Sequence, residues 1–151
     1  MSRPKDQRVI EELKRIAAEN DGLLQPEAVV ERARPASSPL HNKFTWDDSE
    51  AARQHRIWQA RQLIRVSVEV LEASGESFDV FVSLSPDRER ESGGYRVVAQ
   101  VLSDTNMRAQ MLADALSELE SFREKYRKLQ ELDEVFSAIG RVRRPRRRRG
   151  R

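Results

Sequence analysis

Eight of the last eleven residues are arginine: Arg141, Arg143, Arg144, Arg146, Arg147, Arg148, Arg149 and Arg151, interrupted by Val142, Pro145 and Gly150. A guanidinium is always charged, and its forked N–H donors match the oxygens of a phosphate. The chemistry open to such a run is therefore non-covalent capture of a polyanion, with nucleic acid the commonest example. The run contains no aromatic ring and no polar side chain other than arginine, so it is expected to hold phosphate without reading bases. Nothing in it can bury an apolar face, and residues 141–151 are expected to form a disordered basic arm. An acidic patch on a protein partner would suit the same arm.

The charge balance sharpens this reading. Removing those eight arginines from the 28 Lys+Arg leaves 20 against 25 Asp+Glu, so residues 1–140 carry about −5. An acidic body repels phosphate, which confines any nucleic-acid contact to the arm or to local arginine clusters. One such cluster is Arg53, Arg56, Arg61 and Arg65 with Trp58 among them. Helical spacing sets cations beside an aromatic ring, the combination that single strands and RNA use, since bases stack and phosphates pair. A solvated helix face with Trp58 turned partly into the core accounts for the same pattern. These five residues are the secondary nucleic-acid candidates.

Other chemistries find little support. Only His41 and His55 could serve as an imidazole base, and no G-x-S-x-G elbow, P-loop or G-x-G-x-x-G accompanies them. Asp48 and His55 lie two helical turns apart, roughly 10 Å, too far for one ion. With no cysteine, disulfides and thiolate metal sites are excluded. A non-enzymatic chain is expected, with no cofactor, no metal and no small-molecule substrate. No segment approaches the roughly 18 apolar residues of a membrane span, so no membrane partner is expected.

The elements that must position these residues follow from periodicity. Val9, Leu13, Ile16 and Ala17 predict a helix over 5–20, and Pro26 opens a second that ends before Pro35. This hairpin, 1–34, has the outline of a helix-turn-helix, whose second helix offers only Arg32 and Arg34 as base or phosphate contacts, both at its C-terminal end. The loop 35–45 carries Leu40 and Phe44 as anchors. A long middle helix is expected over about 48–63 with Asp at its N-cap. Alternating β-branched residues predict strands over 65–71, 78–84 and 95–101, an antiparallel sheet of two or three strands within 46–102. The loop 85–94, whose charges alternate and nearly cancel, reads as a solvated hairpin tip. A final helix over 104–139, ended by Gly140, carries apolar residues in heptads: Leu112, Ala115, Leu119, Phe122, Tyr126, Leu129 and Phe136. Leu119, Phe122, Tyr126, Leu129 and Phe136 are the expected interface of a homo-oligomer. The expected fold class is α+β, one domain over 1–140 with the arm attached.

The stretch Ser38-Pro39-Leu40-His41, Phe44, Trp46-Asp47-Asp48, Ala51-Ala52 and Gln59-Ala60-Arg61 resembles small uncharacterised proteins of tailed phages and prophages. The resemblance spans most of 8–139 and leaves the arginine arm outside. It implies a viral setting, with the bacterial host cytoplasm or the virion as location, and it brings no catalytic residues. The expectation is a nucleic-acid-associated phage protein that binds phosphate through its arm, DNA ahead of RNA, while its body self-associates or meets a partner. The alternatives are a virion or assembly protein acting through its long C-terminal helix and a helix-turn-helix regulator.

Overall fold

The computed structural model describes residues 6–46, 49–70, 74–91 and 93–144. The fold is α+β, with a helical hairpin, a long middle helix, small antiparallel sheets and long C-terminal helices. The chain falls into two compact units, Met1–Thr105 and Asn106–Arg151, in place of the single domain expected over 1–140. The boundary follows Asp104, where the backbone leaves helical geometry (φ −99°, ψ 123°).

In the first unit, α1 (Gln7–Glu19) buries Val9, Ile10, Leu13, Ile16 and Ala17 on one face. Its end is set by the Asn20 side chain, which donates to the Ile16 carbonyl at 2.7 Å, and by left-handed backbone at Asp21 and Gly22. α2 (Pro26–Ala33) begins on its proline and buries Val29, Val30 and Ala33. Leu40 and Phe44 are buried in the same core, the anchoring role their composition implied.

The middle helix, α3 (Glu50–Arg65), starts later and runs further than expected. Its N-cap is Ser49, whose hydroxyl accepts the Ala52 N–H at 3.1 Å. The predicted aspartate caps, Asp47 and Asp48, lie outside the described residues. α3 buries Arg56, Ala60 and Ile64 against the core.

The sheet differs from the expected meander. β1 (Val68–Val70) pairs with β2 (Ser77–Asp79), and β3 (Phe81–Val82) pairs with β4 (Arg96–Val97), forming two separate two-stranded ladders. The predicted strand 78–84 is broken at Val80. Its N–H donates to the Ser67 carbonyl at 3.1 Å, and its own carbonyl accepts from Val98 N–H at 2.8 Å. One residue thus hands the chain from the first ladder to the second. The predicted strand 95–101 stops after Val97, and Val98–Ser103 coils into α5. Valines 97 and 101 satisfy either period, and the four-residue spacing buries both.

The loop 85–94 is not a solvated tip. Ser85–Arg88 forms a one-turn helix, α4, that carries Asp87 inward to 3 % exposure. There Asp87 accepts two hydrogen bonds from Arg96, from Nε at 2.6 Å and Nη2 at 2.8 Å. The Asp87 hydrogen bonds raise the Arg96 guanidinium above its ordinary value, against the opposing effect of its burial. Nearby, Gly94 packs so closely that an added Cβ would stand 2.5 Å from Leu23 Cδ1 and 2.9 Å from Cγ. Gly94→Ala is expected to destabilise this unit by about 1–3 kcal/mol, the usual cost of overpacking. Urea unfolding followed by tryptophan fluorescence checks it, since Trp46 and Trp58 both lie in this unit.

The second unit is a helical hairpin where one helix over 104–139 was expected. α6 (Thr105–Tyr126) ends, a 3-10 turn spans Gln130–Leu132, and α7 (Asp133–Arg143) returns. Phe122 meets Phe136 edge-on at 6.3 Å between centroids, and Arg143 donates to Glu120 at 2.9 Å. Asp133, which breaks the heptads, sits with Glu134 in the first turn of α7, where carboxylates suit the helix dipole. Gly140 does not end the helix. It lies inside α7, and nothing stands within 4 Å of where its Cβ would be.

Candidate nucleic-acid interface

The arginine arm begins later than its composition implied. Arg141 and Arg143 continue α7, and the chain leaves helical geometry at Arg144 (φ −78°, ψ 121°). The cause is Pro145, which disfavours helical backbone in the residue before it. Basic residues in the last turn also suit the negative end of the helix dipole. Arg143 is committed to Glu120. Loss of water contact would push the Glu120 carboxyl up, but Arg123 and Arg143 outweigh it and hold it below the ordinary glutamate value. The link is therefore complete above that ordinary value and is lost as pH falls through the depressed one. Arg141 and Arg144 are exposed and pair with no acid among the described residues. Arg146, Arg147, Arg148, Arg149 and Arg151 lie outside the described residues.

The α3 cluster divides. Arg56 is 6 % exposed and serves the core: its guanidinium carbon stands 5.3 Å from the Trp46 ring, and Nη1 donates to the Thr45 carbonyl at 3.5 Å. Trp46 is stacked on His41, 5.1 Å between centroids and 11° between planes, and its indole N–H donates to the His41 carbonyl at 3.0 Å. Arg56 is therefore a structural residue, and the expectation of a nucleic-acid contact there is corrected. Arg53, Arg61 and Arg65 are exposed, and none pairs with an acid among the described residues. Trp58 is 54 % exposed. His55 stacks on Trp58 at 5.6 Å and 16°. Its i, i+3 spacing was the available signal.

The two cations of the second helix in the helix-turn-helix outline both have acidic partners. Arg32 pairs with Glu12 at 3.1 Å and with Glu19, and Glu12 is buried between Arg15 and Arg32. Arg34 pairs with Glu31 and stands over Trp46. Arg32 ties α2 to α1, and Arg34 is engaged at the end of its own helix and at Trp46.

The heptad residues of the second unit are open. No residue of α6 is buried. Leu112, at 55 % exposure, Leu119, Phe122 and Leu129 are all exposed. Tyr126 and Phe136 are partly covered, and both flank Phe122 within the hairpin. Leu112, Ala115, Leu119, Phe122 and Tyr126 alternate at three and four residues, which places them along one stripe of α6.

Among the described residues, no three His, Asp or Glu side chains converge as a metal site, and no helix is long and apolar enough to cross a membrane. Comparison with family models, curated proteins and solved structures returns no match for this chain.

Proposed function

We propose that this chain is a non-enzymatic, nucleic-acid-associated protein of phage origin, acting in the host cytoplasm or the virion. It grips the phosphate backbone, DNA ahead of RNA, through the arginines of 141–151. The observation that carries this reading is the partition of charge: about −5 over residues 1–140 against eight arginines in the last eleven. Such a distribution repels polyanions from the body and draws them to one end. The exposure of Arg141 and Arg144 without acidic partners supports it. The test is an anisotropy titration of the intact protein with random-sequence DNA at two salt concentrations. Binding that weakens steeply with salt supports the reading, and no binding in dilute buffer overturns it.

A second reading concerns assembly. The open stripe on α6 is the observation that favours it, because a helix of 22 residues with none buried has apolar surface to cover. A second copy of the chain can cover it by heptad packing. Leu112→Glu combined with Leu119→Glu is expected to convert a self-associated species to monomer in light scattering. The helical circular dichroism should persist, since neither residue is buried in one chain. Unchanged mass would exclude this stripe as the interface.

A further inference from the structure

We infer that the outward face of α3 is a base-stacking site for single-stranded nucleic acid, with Trp58 as its platform. The inference rests on the proposed function, since it assigns to the same polyanion a second contact, made by its bases.

Three features of that face converge. First, Trp58 holds an indole more than half exposed on a well-formed helix, with His55 stacked nearly parallel to it. The stack orders the indole side chain, which lowers the entropy lost when a further ring joins it. Second, the cations around it are unspent. Arg61 and Arg65 follow Trp58 by about one and two helical turns, roughly 5 and 10 Å along the axis, and neither pairs with an acid among the described residues. Third, residues 51–66 contain no Asp or Glu. In a body that is otherwise acidic, this helix sets three exposed arginines, Arg53, Arg61 and Arg65, against the single Glu50.

The chemistry of the occupant follows. The fully buried centre of a protein–protein interface is largely apolar, whereas Trp58 has Gln54, Arg61, Gln62 and Arg65 at helical spacing. A paired base has both faces covered by its neighbours in the duplex, so it has none to offer an indole. An unpaired base has a free face, and its phosphates lie within reach of the arginines. Trp58 would take the base, Arg61 and Arg65 the backbone, and the stacking would tolerate any base because every base has a π-face. The acidic residues of the rest of the body then bias a bound strand toward α3.

The test compares three labelled polyanions of equal length on the full chain: oligothymidine, a duplex, and a base-free phosphodiester chain. The intact protein is expected to favour oligothymidine. Trp58→Ala should weaken oligothymidine binding about 5- to 150-fold, the range of one lost stacking contact, and leave the other two nearly unchanged. Trp58→Phe should restore most of the loss. The exposed position of Trp58 makes the substitution tolerable to the fold, and unchanged Trp46 emission verifies that. A measurement without any variant stands beside it: in the intact protein, oligothymidine should quench the red-shifted emission of the exposed indole, and the base-free chain should not. Equal affinity for oligothymidine and the base-free chain, or equal losses on all three in Trp58→Ala, overturns the stacking site while leaving the arm intact. Failure of all three polyanions to bind overturns the proposed function itself.

Discussion

Truncating the chain after Arg144 is expected to flatten the salt dependence of DNA binding. The cut removes five of the eight arginines, Arg146, Arg147, Arg148, Arg149 and Arg151. Each phosphate neutralised contributes about −0.9 to the slope of log K against log salt. Full engagement of eight arginines gives a slope near −7, and the three that remain give at most about −3. Between 50 and 200 mM salt, the intact protein should lose on the order of 10⁴-fold in affinity and the truncated one under 100-fold. The position of the cut matters. A truncation at Arg141 would also remove the last turn of α7 and the Arg143–Glu120 link, confounding loss of charge with damage to the hairpin. Anisotropy titrations at four salt concentrations give both slopes. Identical slopes would show that the grip lies elsewhere in the chain.

Asp87→Ala is expected to be the most damaging single substitution in the first unit. Asp87 is almost fully buried and holds Arg96, whose side chain is 14 % exposed, by two hydrogen bonds. Removing the carboxylate leaves a nearly buried guanidinium without its acceptor, and breaking such a pair from one side costs about 3–5 kcal/mol. In a unit of this size each kcal/mol lowers the thermal midpoint by about 4–8 °C, so a fall of at least about 12 °C is expected. Replacing both partners, Asp87→Leu with Arg96→Met, should recover much of the loss, because neither charge is then left uncompensated. Thermal melts of the two variants followed by tryptophan fluorescence decide it. A fall under about 3 °C in Asp87→Ala would show that water or another acceptor substitutes for the carboxylate.

Reading the sequence succeeded where one local rule acted without competition. α1 and α2 appear within a residue or two of their expected limits, because an apolar 3.6-residue period, an Asn-Asp-Gly stop and a proline start agree there. Leu40 and Phe44 were legible as anchors because an apolar residue in a polar loop has few other uses. Of the candidate interface, the composition of the arm and of the α3 cluster was visible, since cationic residue types and their spacing are properties of the chain. Which arginines remain open was not visible: burial separates Arg56 from Arg53, Arg61 and Arg65, and burial depends on how α3 is rotated against the core.

The segments that departed from expectation are those where two local preferences were nearly equal in energy. Valines at 97, 98 and 101 suit strand and helix alike, and the hydrogen bond from Val98 to Val80 selects the helix start. The heptads of 104–139 suit one long helix, but the aromatic contact of Phe122 with Phe136 and the Arg143–Glu120 pair reward the chain for turning back. Asp87 opens a run of alternating charge over 87–91 and Arg96 lies nine residues on, in β4; nothing in that run distinguishes the one acid that goes inside. Charge content, helix-forming periods and the cationic terminus belong to the chain as a string, because they arise from residue types and short separations. The ladder switch at Val80, the second hairpin and the choice of which cations stay free belong to the folded chain, because each balances local preference against contacts between residues distant in sequence.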